Sequence, residues 1–583
     1  MTPKRRLLLP GLIALVLLTG ASPGTELRAE AATVSPGVIS QNASIWSELS
    51  FRGTTASQAE PIKVTGSLSG PHGHVRKRHS DNRGFSLVMN RPFEPAEQVT
   101  VQTGLTIPGA VDGDYVFTVE NLGGPRVIRQ RRQDVEDGAI QPFRSRPDIR
   151  PFRLQVRSRE EAAGNDPIFV GSKNYGNAIF SPSGRLIWFK PIRGTDFRTQ
   201  RYRGKPVLTW FQAPTVGAGL KRSSYIIADR SYRVIKRIVP GNGLRADSHE
   251  FRLTPRGTAY ITSYRTVQRD LAPIGLNVDG RVVDSIAQEI DLETGRVIWE
   301  WHSLDQVPVS DTYAVRTRRE GAAYDYFHIN SVIDTPDGNV MVSGRSTSAI
   351  YKIKRRSGRL MWTLGGKRSD FTFGPGAAFS WQHDAEPLNR NRISLFDNAD
   401  AFVAPNPSAE QSRGLVLSLD ENGMQATVAN EFLHPDRPLS PSQANQQPLS
   451  SGNFFIGWGQ SPLISEHSAD GQMVFDGRLR GSNSAYRAYR QPWSGRPRGP
   501  VAIAASRSRR ITTAWVSWNG DTAVRRWRIL TGPSRRRLDT VGTRPRSGFE
   551  TRMRVPAPSR LLQIQGLDEA GEVLGRTRIT PVR

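Results

Sequence analysis

Residues 326–345 read YFHINSVIDTPDGNVMVSGR, and this stretch decides the fold because it contains a complete β-hairpin. Apolar runs flank TPDG at 335–338, a sequence typical of a tight turn between antiparallel strands. Residues that face each other across such a pair sum to roughly the same number, so position 328 lies opposite about 346, within one residue. His328, Asn330 and Arg345 are therefore expected at one end of the hairpin. Taken alone, such a trio is typical of a strand edge whose polar groups satisfy one another.

The hairpin is one of three that begin with a histidine. HEFRLTPRGTAYITSYR starts at His249, and HDAEPLNRNRISLFDNAD starts at His383. A second unit, a turn followed by a strand, recurs as SPSGRLIWF (181–189), DLETGRVIWEW (291–301), IKRRSGRLMWTL (353–364) and, degraded, LDENGMQATVANEF (419–432). Repeated four-stranded units predict a β-propeller, and six blades of roughly 50 to 60 residues fit the length best. Equivalent strands of successive blades converge on the axis, so the three histidines are expected to meet.

The whole chain reads as all-β, because short runs of β-branched and aromatic residues alternate with turn residues and helical periodicity is nearly absent. The spacing of strand-like runs at both ends predicts two β-sandwiches, and the repeats between them predict the propeller. The predicted segments are a signal peptide (1–31), an Ig-like sandwich (32–120), a linker rich in Arg, Gln and Pro (121–150), the six-bladed propeller (151–490) and a fibronectin III-like sandwich (500–583).

The first 31 residues have the three regions of a secretory signal peptide. A basic start at KRR (4–6) precedes an apolar run and then AEA (29–31). The apolar run is too short and too interrupted for a membrane span. We therefore expect a secreted protein, extracellular or in the cell envelope, with no membrane span after cleavage. The chain has no cysteine, which excludes disulfides and thiol nucleophiles.

The formal net charge of +27 points to anionic partners. The charge is spread along the chain and no nucleic-acid-binding motif is present, so we expect no nucleic-acid partner. Contact with an anionic cell wall or glycan fits export better. The sequence leaves the oligomeric state open.

The predicted cluster of three histidines, an asparagine and an arginine suits an anion better than a metal. Three imidazoles are a frequent zinc set, which leaves a metal-dependent hydrolase as one reading. However, a guanidinium in the same set would repel a cation, and the HExxH pattern is absent. Arg345 is able to bind two oxygens of a tetrahedral anion, Asn330 adds N–H donors, and a histidine serves as acid, base or nucleophile. A sulfate or phosphate group is the predicted ligand, with no metal and no cofactor.

Six ordered segments, ADSHEF, DYFHINSV, SGRSTSAIYKI, MWTLGGKRSDF, WQHDAEP and ISLFDNAD, resemble the bacterial arylsulfotransferase (arylsulfate sulfotransferase) family, in the branch common among secreted actinobacterial proteins. The resemblance runs from about Phe152 to Arg490. It implies a six-bladed propeller that transfers a sulfuryl group from an aryl sulfate donor to a phenolic acceptor, without a nucleotide donor or a metal.

The resemblance also implies roles for the clustered residues. His383 matches the nucleophile that becomes transiently sulfated, and His249 matches a histidine suited to proton transfer. His328, Asn330 and Arg345 match the groups that hold sulfuryl oxygens. The family's late hydroxyl residue has no secure match in PSQANQQPLSSGNFFIGWG. The alternative function is a non-catalytic propeller that binds an anionic glycan or cell-wall ligand, since propellers host both.

Two further interpretations concern residues around the cluster. Trp381, Phe379 and Tyr326 are candidates for stacking on a phenyl ring, although each also fits packing within a blade. Asp397 and Asn398, in LFDN, are interpreted as closing a blade turn.

Overall fold

The computed structural model of the protein describes residues 32–38, 43, 45, 47–55, 62–79, 83–119, 138–172, 174–192, 194–213, 223–276, 280–314, 323–399, 409–481, 483–508, 511–555 and 560–582. The predicted all-β class is confirmed, because the only helices in these ranges are single 3₁₀ turns at Ala272–Ile274, Ser303–Asp305 and Val309–Asp311. None of them is long and apolar enough to cross a membrane. The predicted signal peptide, 1–31, lies outside the described residues.

The N-terminal part consists of two small antiparallel sheets. Its strands are β1 (Thr33–Ser35), β2 (Leu49–Arg52), β3 (Lys63–Gly66), β4 (Gly70–Pro71), β5 (His74–Arg78), β6 (Gly84–Met89), β7 (Gln98–Gln102) and β8 (Tyr115–Thr118). The sheet orders are β1-β2-β6-β5 and β4-β3-β7-β8. Alternating buried residues form one core, in which Phe51 stacks on Phe85 with ring centroids 5.0 Å apart.

Six sheets follow one another between residues 154 and 490 of the described chain. Their strands are β9 (Leu154–Arg159), β10 (Ile168–Ser172), β11 (Gly176–Phe180), β12 (Leu186–Lys190), β13 (Gly194–Tyr202), β14 (Lys205–Gln212), β15 (Ser224–Ala228), β16 (Val234–Ile238), β17 (Phe251–Leu253), β18 (Thr258–Arg269), β19 (Gly280–Asp291), β20 (Val297–His302), β21 (Ile329–Asp334), β22 (Val340–Gly344), β23 (Ala349–Ile353), β24 (Leu360–Gly365), β25 (Thr372–Phe373), β26 (His383–Asn389), β27 (Arg392–Asp397), β28 (Arg413–Asp420), β29 (Gln425–Phe432), β30 (Asn445–Pro448), β31 (Phe454–Gly457), β32 (Leu463–His467), β33 (Met473–Leu479) and β34 (Ala485–Arg490).

These sheets form a β-propeller. In chain order they are β34-β10-β11-β12, β13-β14-β15-β16, β17-β18-β19-β20, β21-β22-β23-β24, β26-β27-β28-β29-β25 and β30-β31-β32-β33-β9. The strand named first in each sheet is the inner one: β34 packs against β13 and β30, and β26 packs against β21 and β30. The ring closes because β34, from the end of this region, completes the first sheet, and β9, from its beginning, extends the last.

The repeated sequence unit is the turn before the outermost strand of a four-stranded set. Its four copies lead into β12, β20, β24 and β29. The pairing between the third strand and the outermost strand is interrupted by a register shift in every one of the six sheets described. A bulge at this point bends the outer strand and increases its twist, so the repeat reflects a shared geometry.

The three hairpins that begin with a histidine are the two innermost strands of the third, fourth and fifth sheets. His249 lies two residues before β17, His328 lies one residue before β21, and His383 begins β26. In the fourth sheet the Arg345 N–H donates to the His328 carbonyl oxygen at 3.0 Å. This pairing confirms the register predicted for the hairpin to within the expected single residue.

The C-terminal part again contains two sheets, β35-β36-β39 and β38-β37-β40-β41, with β42 pairing with β40. The strands are β35 (Ala502–Ser508), β36 (Ile511–Ser517), β37 (Arg526–Ser534), β38 (Arg537–Pro545), β39 (Glu550–Val555), β40 (Leu561–Leu567), β41 (Val573–Arg576) and β42 (Thr580–Pro581). The described part of the predicted linker, 138–150, packs against this region: Phe143 lies 4.4 Å from Phe549 between ring centroids, and Ser145 Oγ donates to Glu550 at 2.6 Å.

Candidate active site

The histidines at the starts of three neighbouring inner strands converge at one end of the propeller. The rings of His249 and His328 are 4.8 Å apart between centroids and lie edge to face. His328 has a left-handed backbone, with φ of 56°, which turns the chain from the preceding loop into β21. These two imidazoles form the partly exposed part of the cluster, with 15% and 19% of their side chains exposed.

Each of these two rings is oriented by a carboxylate. Nδ1 of His249 donates to Asp247 at 2.5 Å, and Nδ1 of His328 donates to Asp325. With Nδ1 held in this way, Nε2 is the nitrogen left to accept or deliver a proton. Burial lowers the pKa of His328, helped by Arg345 and His249 and opposed by Asp325.

His383 is held from both sides by the protein. Its Nδ1 donates to Asn398 Oδ1 at 2.7 Å, while its Nε2 accepts a hydrogen bond from the Gln443 main-chain N–H at 3.1 Å. Asn398 also donates to the carbonyl oxygens of Ser440 and Gln443, at 2.6 Å and 3.1 Å. Burial, reinforced by Arg345, holds the pKa of His383 well below its usual value. The ring is therefore a neutral imidazole whose lone pair is on Nε2.

Arg345 and Asn330 lie beside this ring. The Arg345 guanidinium carbon is 5.0 Å from the centroid of the Trp381 ring, and the Trp381 carbonyl oxygen lies 3.1 Å from His383 Nδ1. Asn330 is fully buried, and its Nδ2 donates to the Gln382 carbonyl oxygen at 2.7 Å. Asn330 therefore connects β21 to the segment just before β26 and keeps a second N–H on the same nitrogen.

Of the three aromatic candidates, Trp381 is the one at the site. Its φ of 59° places its ring under Arg345. Tyr326 belongs to the core of the fourth sheet, where its hydroxyl donates to the Val307 carbonyl oxygen at 3.1 Å. Phe379 packs in the apolar core between the fourth and fifth sheets. Tyr326 and Phe379 are therefore core residues and do not line the site.

Two other aromatic residues, Tyr264 and Tyr486, contact the His249 ring, each with centroids 5.7 Å away. The Tyr264 hydroxyl also lies 3.3 Å from His249 Nδ1, and the Tyr486 hydroxyl donates to the His249 carbonyl oxygen at 3.2 Å. Tyr264 and Tyr486 therefore form an aromatic wall beside the partly exposed imidazoles of His249 and His328.

The acidic residues that follow His383 are paired with arginines. Asp384 Oδ1 lies 3.1 Å from Arg487 Nη2, and Glu386 binds Arg252. Burial raises the pKa of Asp384 to about 7. The arginines thus compensate these carboxylates, which reduces their repulsion of an anion at the site.

The five residues predicted from sequence, His249, His328, Asn330, Arg345 and His383, are brought together by the fold. Within the part of the chain that the structure describes, no group of three or more His, Asp or Glu side chains is arranged to hold a metal ion.

Sequence reasoning missed the groups that orient the histidines, namely Asp247, Asp325, Asn398 and the Gln443 main chain, and also the aromatic residues Tyr264 and Tyr486. For the first two a signal exists, namely a carboxylate two or three residues before a candidate histidine. Asn398 was interpreted as part of a turn, and the structure instead places it against His383.

Several solved structures are distantly similar to the chain. A protein of unknown function from Bacteroides caccae is 14% identical, with 56% of this chain and 98% of that chain covered and a TM-score of 0.34. The β-propeller domain of Cps50 (Swd1) from Myceliophteria thermophila is 10% identical, with 57% and 98% covered and a TM-score of 0.28. A catalytically inactive virginiamycin B lyase from Staphylococcus aureus with quinupristin is 8% identical, with 72% and 98% covered and a TM-score of 0.26. Scores this low support no conclusion about activity.

The sequence comparisons are more specific. No curated protein sequence matches the chain. Residues 198–480 match the family model described as arylsulfotransferase (ASST), and that range includes all five predicted site residues. The matched residues lie within the propeller, so this part of the chain is similar to the arylsulfotransferase family, and the match supports sulfotransferase activity in general.

Proposed function

We propose that the protein is an arylsulfate sulfotransferase that moves a sulfuryl group from a phenolic sulfate ester to a phenol through a sulfohistidine at His383. The observation that carries the proposal is the convergence of three imidazoles with one guanidinium at the propeller axis, within the segment matched by the family model. No nucleotide donor and no metal take part in the proposed reaction.

In the first half-reaction, Nε2 of His383 attacks sulfur in line with the bond to the phenolic oxygen. The N–S bond forms, the S–O bond breaks, and the phenolate takes a proton from the protonated His249. His383 is suited to attack because its buried ring is neutral and its Nδ1–H is held by Asn398. Attack displaces the hydrogen bond from Gln443 to Nε2, and that N–H then lies beside the sulfuryl oxygens.

Charge compensation accompanies the attack. Sulfuryl transfer resembles phosphoryl transfer in having a loose transition state, so positioning and electrostatic stabilisation dominate. Arg345 binds sulfuryl oxygens with its fork of N–H donors, and the remaining N–H of Asn330 donates beside it. His328, whose Nδ1 is held by Asp325, adds an N–H at Nε2 to this set when its ring is protonated.

In the second half-reaction a phenol replaces the first product. His249, held by Asp247, removes the phenol's proton, the new S–O bond forms and the S–N bond breaks. The enzyme returns to its starting state, and the two steps give ping-pong kinetics. Tyr264 and Tyr486 form the wall against which either phenyl ring packs.

The finer assignments of the architecture are part of the same proposal. Six successive sheets closed by β9 and β34 support a count of six blades over 151–490. Pairs of facing sheets support an Ig-like sandwich over 32–120 and a fibronectin III-like sandwich over 500–583. We assign residues 1–31 as a signal peptide, the chain to the secreted actinobacterial-type branch, and anionic wall polymers or glycans as contacts.

The test is phenol release from 4-nitrophenyl sulfate, with and without an added phenol, in the presence of a chelator. Acceptor-dependent release unaffected by the chelator is the expected result. His383→Ala should abolish it, and His467→Ala serves as the matched control, because His467 is an equally buried histidine bonded to Ser465 outside the site.

Full activity in folded His383→Ala would refute the sulfohistidine. No release from a broad panel of aryl sulfates would leave a propeller that binds an anionic ligand without turning it over.

A further inference from the structure

Arg487 joins the inner strands of five of the six propeller sheets. Its side chain starts from β34 and is fully buried. Nη1 lies 3.3 Å from carboxylate oxygens of Asp196, in β13 of the second sheet, and of Glu250, the residue before β17 of the third. Nη2 donates to the Asn330 carbonyl oxygen at 2.9 Å, in the fourth sheet, and lies 3.1 Å from Asp384 Oδ1, in the fifth.

The partners of Arg487 are the immediate neighbours of the site residues. Glu250 follows His249 and Asp384 follows His383, while Asn330 belongs to the site itself. Glu250 and Asp384 each adjoin a site histidine in the chain, so holding either carboxylate in place restricts the position of the preceding histidine. Arg487 thus links the chain segments of His249, Asn330 and His383, which come from three different sheets. Arg198, which binds Glu250 at 2.6 Å, supports the first of these segments but contacts neither of the other two.

The chemistry of this contact requires an arginine. Its planar fork reaches partners on two sides at once, whereas a lysine ammonium acts at a single point. A buried ion cluster adds little net stability, but it imposes one geometry, because any misplacement leaves a buried charge without its partner.

We propose that Arg487 is a positioning residue for the sulfuryl transfer proposed above, an axial anchor that holds the nucleophile strand, the Asn330 strand and the His249 strand in register. It touches no reacting atom. Since a misplacement of about 1 Å costs about 100-fold in rate, loss of the anchor should lower kcat and leave KM for the aryl sulfate nearly unchanged.

The experiment compares Arg487→Lys with Arg490→Lys in the full chain. Arg490 is the matched control because it lies on the same strand, is equally buried and pairs with Glu466 at 2.7 Å, with no contact to a predicted site residue. The rate of 4-nitrophenyl sulfate turnover is divided by the concentration of enzyme that forms the sulfated intermediate. This normalisation prevents a loss of folded protein from being counted as a lower kcat.

We expect kcat to fall by about 10- to 100-fold in Arg487→Lys, with KM within about twofold, and to stay near the wild-type value in Arg490→Lys. Equal kcat in the two variants would overturn the proposal. If Arg487→Lys does not fold, Asp384→Asn tests the contact between Arg487 and Asp384 instead. We expect kcat to fall by about tenfold in this variant, and an unchanged kcat would refute the proposal.

A readout independent of turnover separates this proposal from the proposed function. In protein labelled with ¹³C at the histidine ring carbons, Arg487→Lys should shift the signals of His249 and His383, and Arg490→Lys should not. If the wild-type protein shows no sulfuryl transfer, the proposed function is refuted, and the same shifts in Arg487→Lys would still support the anchor. The absence of shifts in Arg487→Lys would refute the anchor whatever the activity.

Discussion

Asn398→Ala is the substitution that most directly tests how His383 is held. The Asn398 side chain is buried and makes three hydrogen bonds: it accepts from His383 Nδ1 at 2.7 Å and donates to the carbonyl oxygens of Ser440 and Gln443. Gln443 in turn donates to the other nitrogen of the same ring. The alanine variant therefore loosens His383 on both sides.

The expected magnitude follows from these contacts. Three buried hydrogen bonds of about 1 kcal/mol each predict a loss of about 3 kcal/mol in the free energy of unfolding. Without the Asn398 oxygen, Nδ1 keeps only the longer contact with the Trp381 carbonyl oxygen at 3.1 Å, so the tautomer with its lone pair on Nε2 is less strongly favoured. A bias of about 1.4 kcal/mol between the tautomers corresponds to a tenfold smaller reactive fraction, and the freed ring adds a cost in orientation. We expect kcat to fall by about 10- to 100-fold.

The assay measures kcat with 4-nitrophenyl sulfate and a phenol acceptor, alongside urea unfolding. Asn389→Ala is the control, because Asn389 lies exposed at the far end of the same hairpin and bonds only locally, to the Asn391 N–H at 2.9 Å. A folded Asn398→Ala protein with kcat within twofold of wild type would refute the assignment of Nδ1 as the nitrogen that Asn398 holds.

Three further predictions concern neighbouring charges. Arg345→Ala should lower kcat by about 10²- to 10³-fold, as removal of an oxyanion donor does, and Arg345→Lys should recover part of it; equal kcat in both variants would contradict a bidentate role. Asp325→Asn should lower kcat by at least about tenfold and shift the pH dependence of kcat/KM, because an amide no longer fixes the tautomer of the His328 ring. An unchanged pH profile would show that Asp325 does not set this tautomer. Burial lowers the pKa of His302, but Asp284 and Glu300 outweigh burial and raise this pKa to about 9. The protonated His302 therefore contributes about 3 kcal/mol at most to the free energy of unfolding. This contribution is present below pH 6.5 and is lost as the pH rises through 9. Urea unfolding at pH 6 and pH 9.5 should show this loss in wild type and a smaller one in His302→Gln; equal losses would refute it.

Much of the site was predictable because most of its residues lie at the ends of local hairpins. The register of the hairpin 326–345 follows from its turn, so the meeting of His328 with Arg345 required no knowledge of distant strands. The regular recurrence of such hairpins then placed His249 and His383 nearby. The contact of Asn398 with His383 was not predicted, because it depends on how β27 and the loop at 440–443 pack against β26. A local sequence pattern does not indicate such packing.

The sequence by itself determined the all-β class, the repeated blade unit and the set of residues at the axis, because strand alternation and turn chemistry act over a few residues. Only the tertiary structure decided which groups orient that set. Arg487 follows Asn330 by 157 residues and Glu250 by 237, and it meets both only because the last strand of the ring closes against the first sheet. Contacts made across a closed ring depend on the packing of all the blades, whereas the hairpins depend on their own turns.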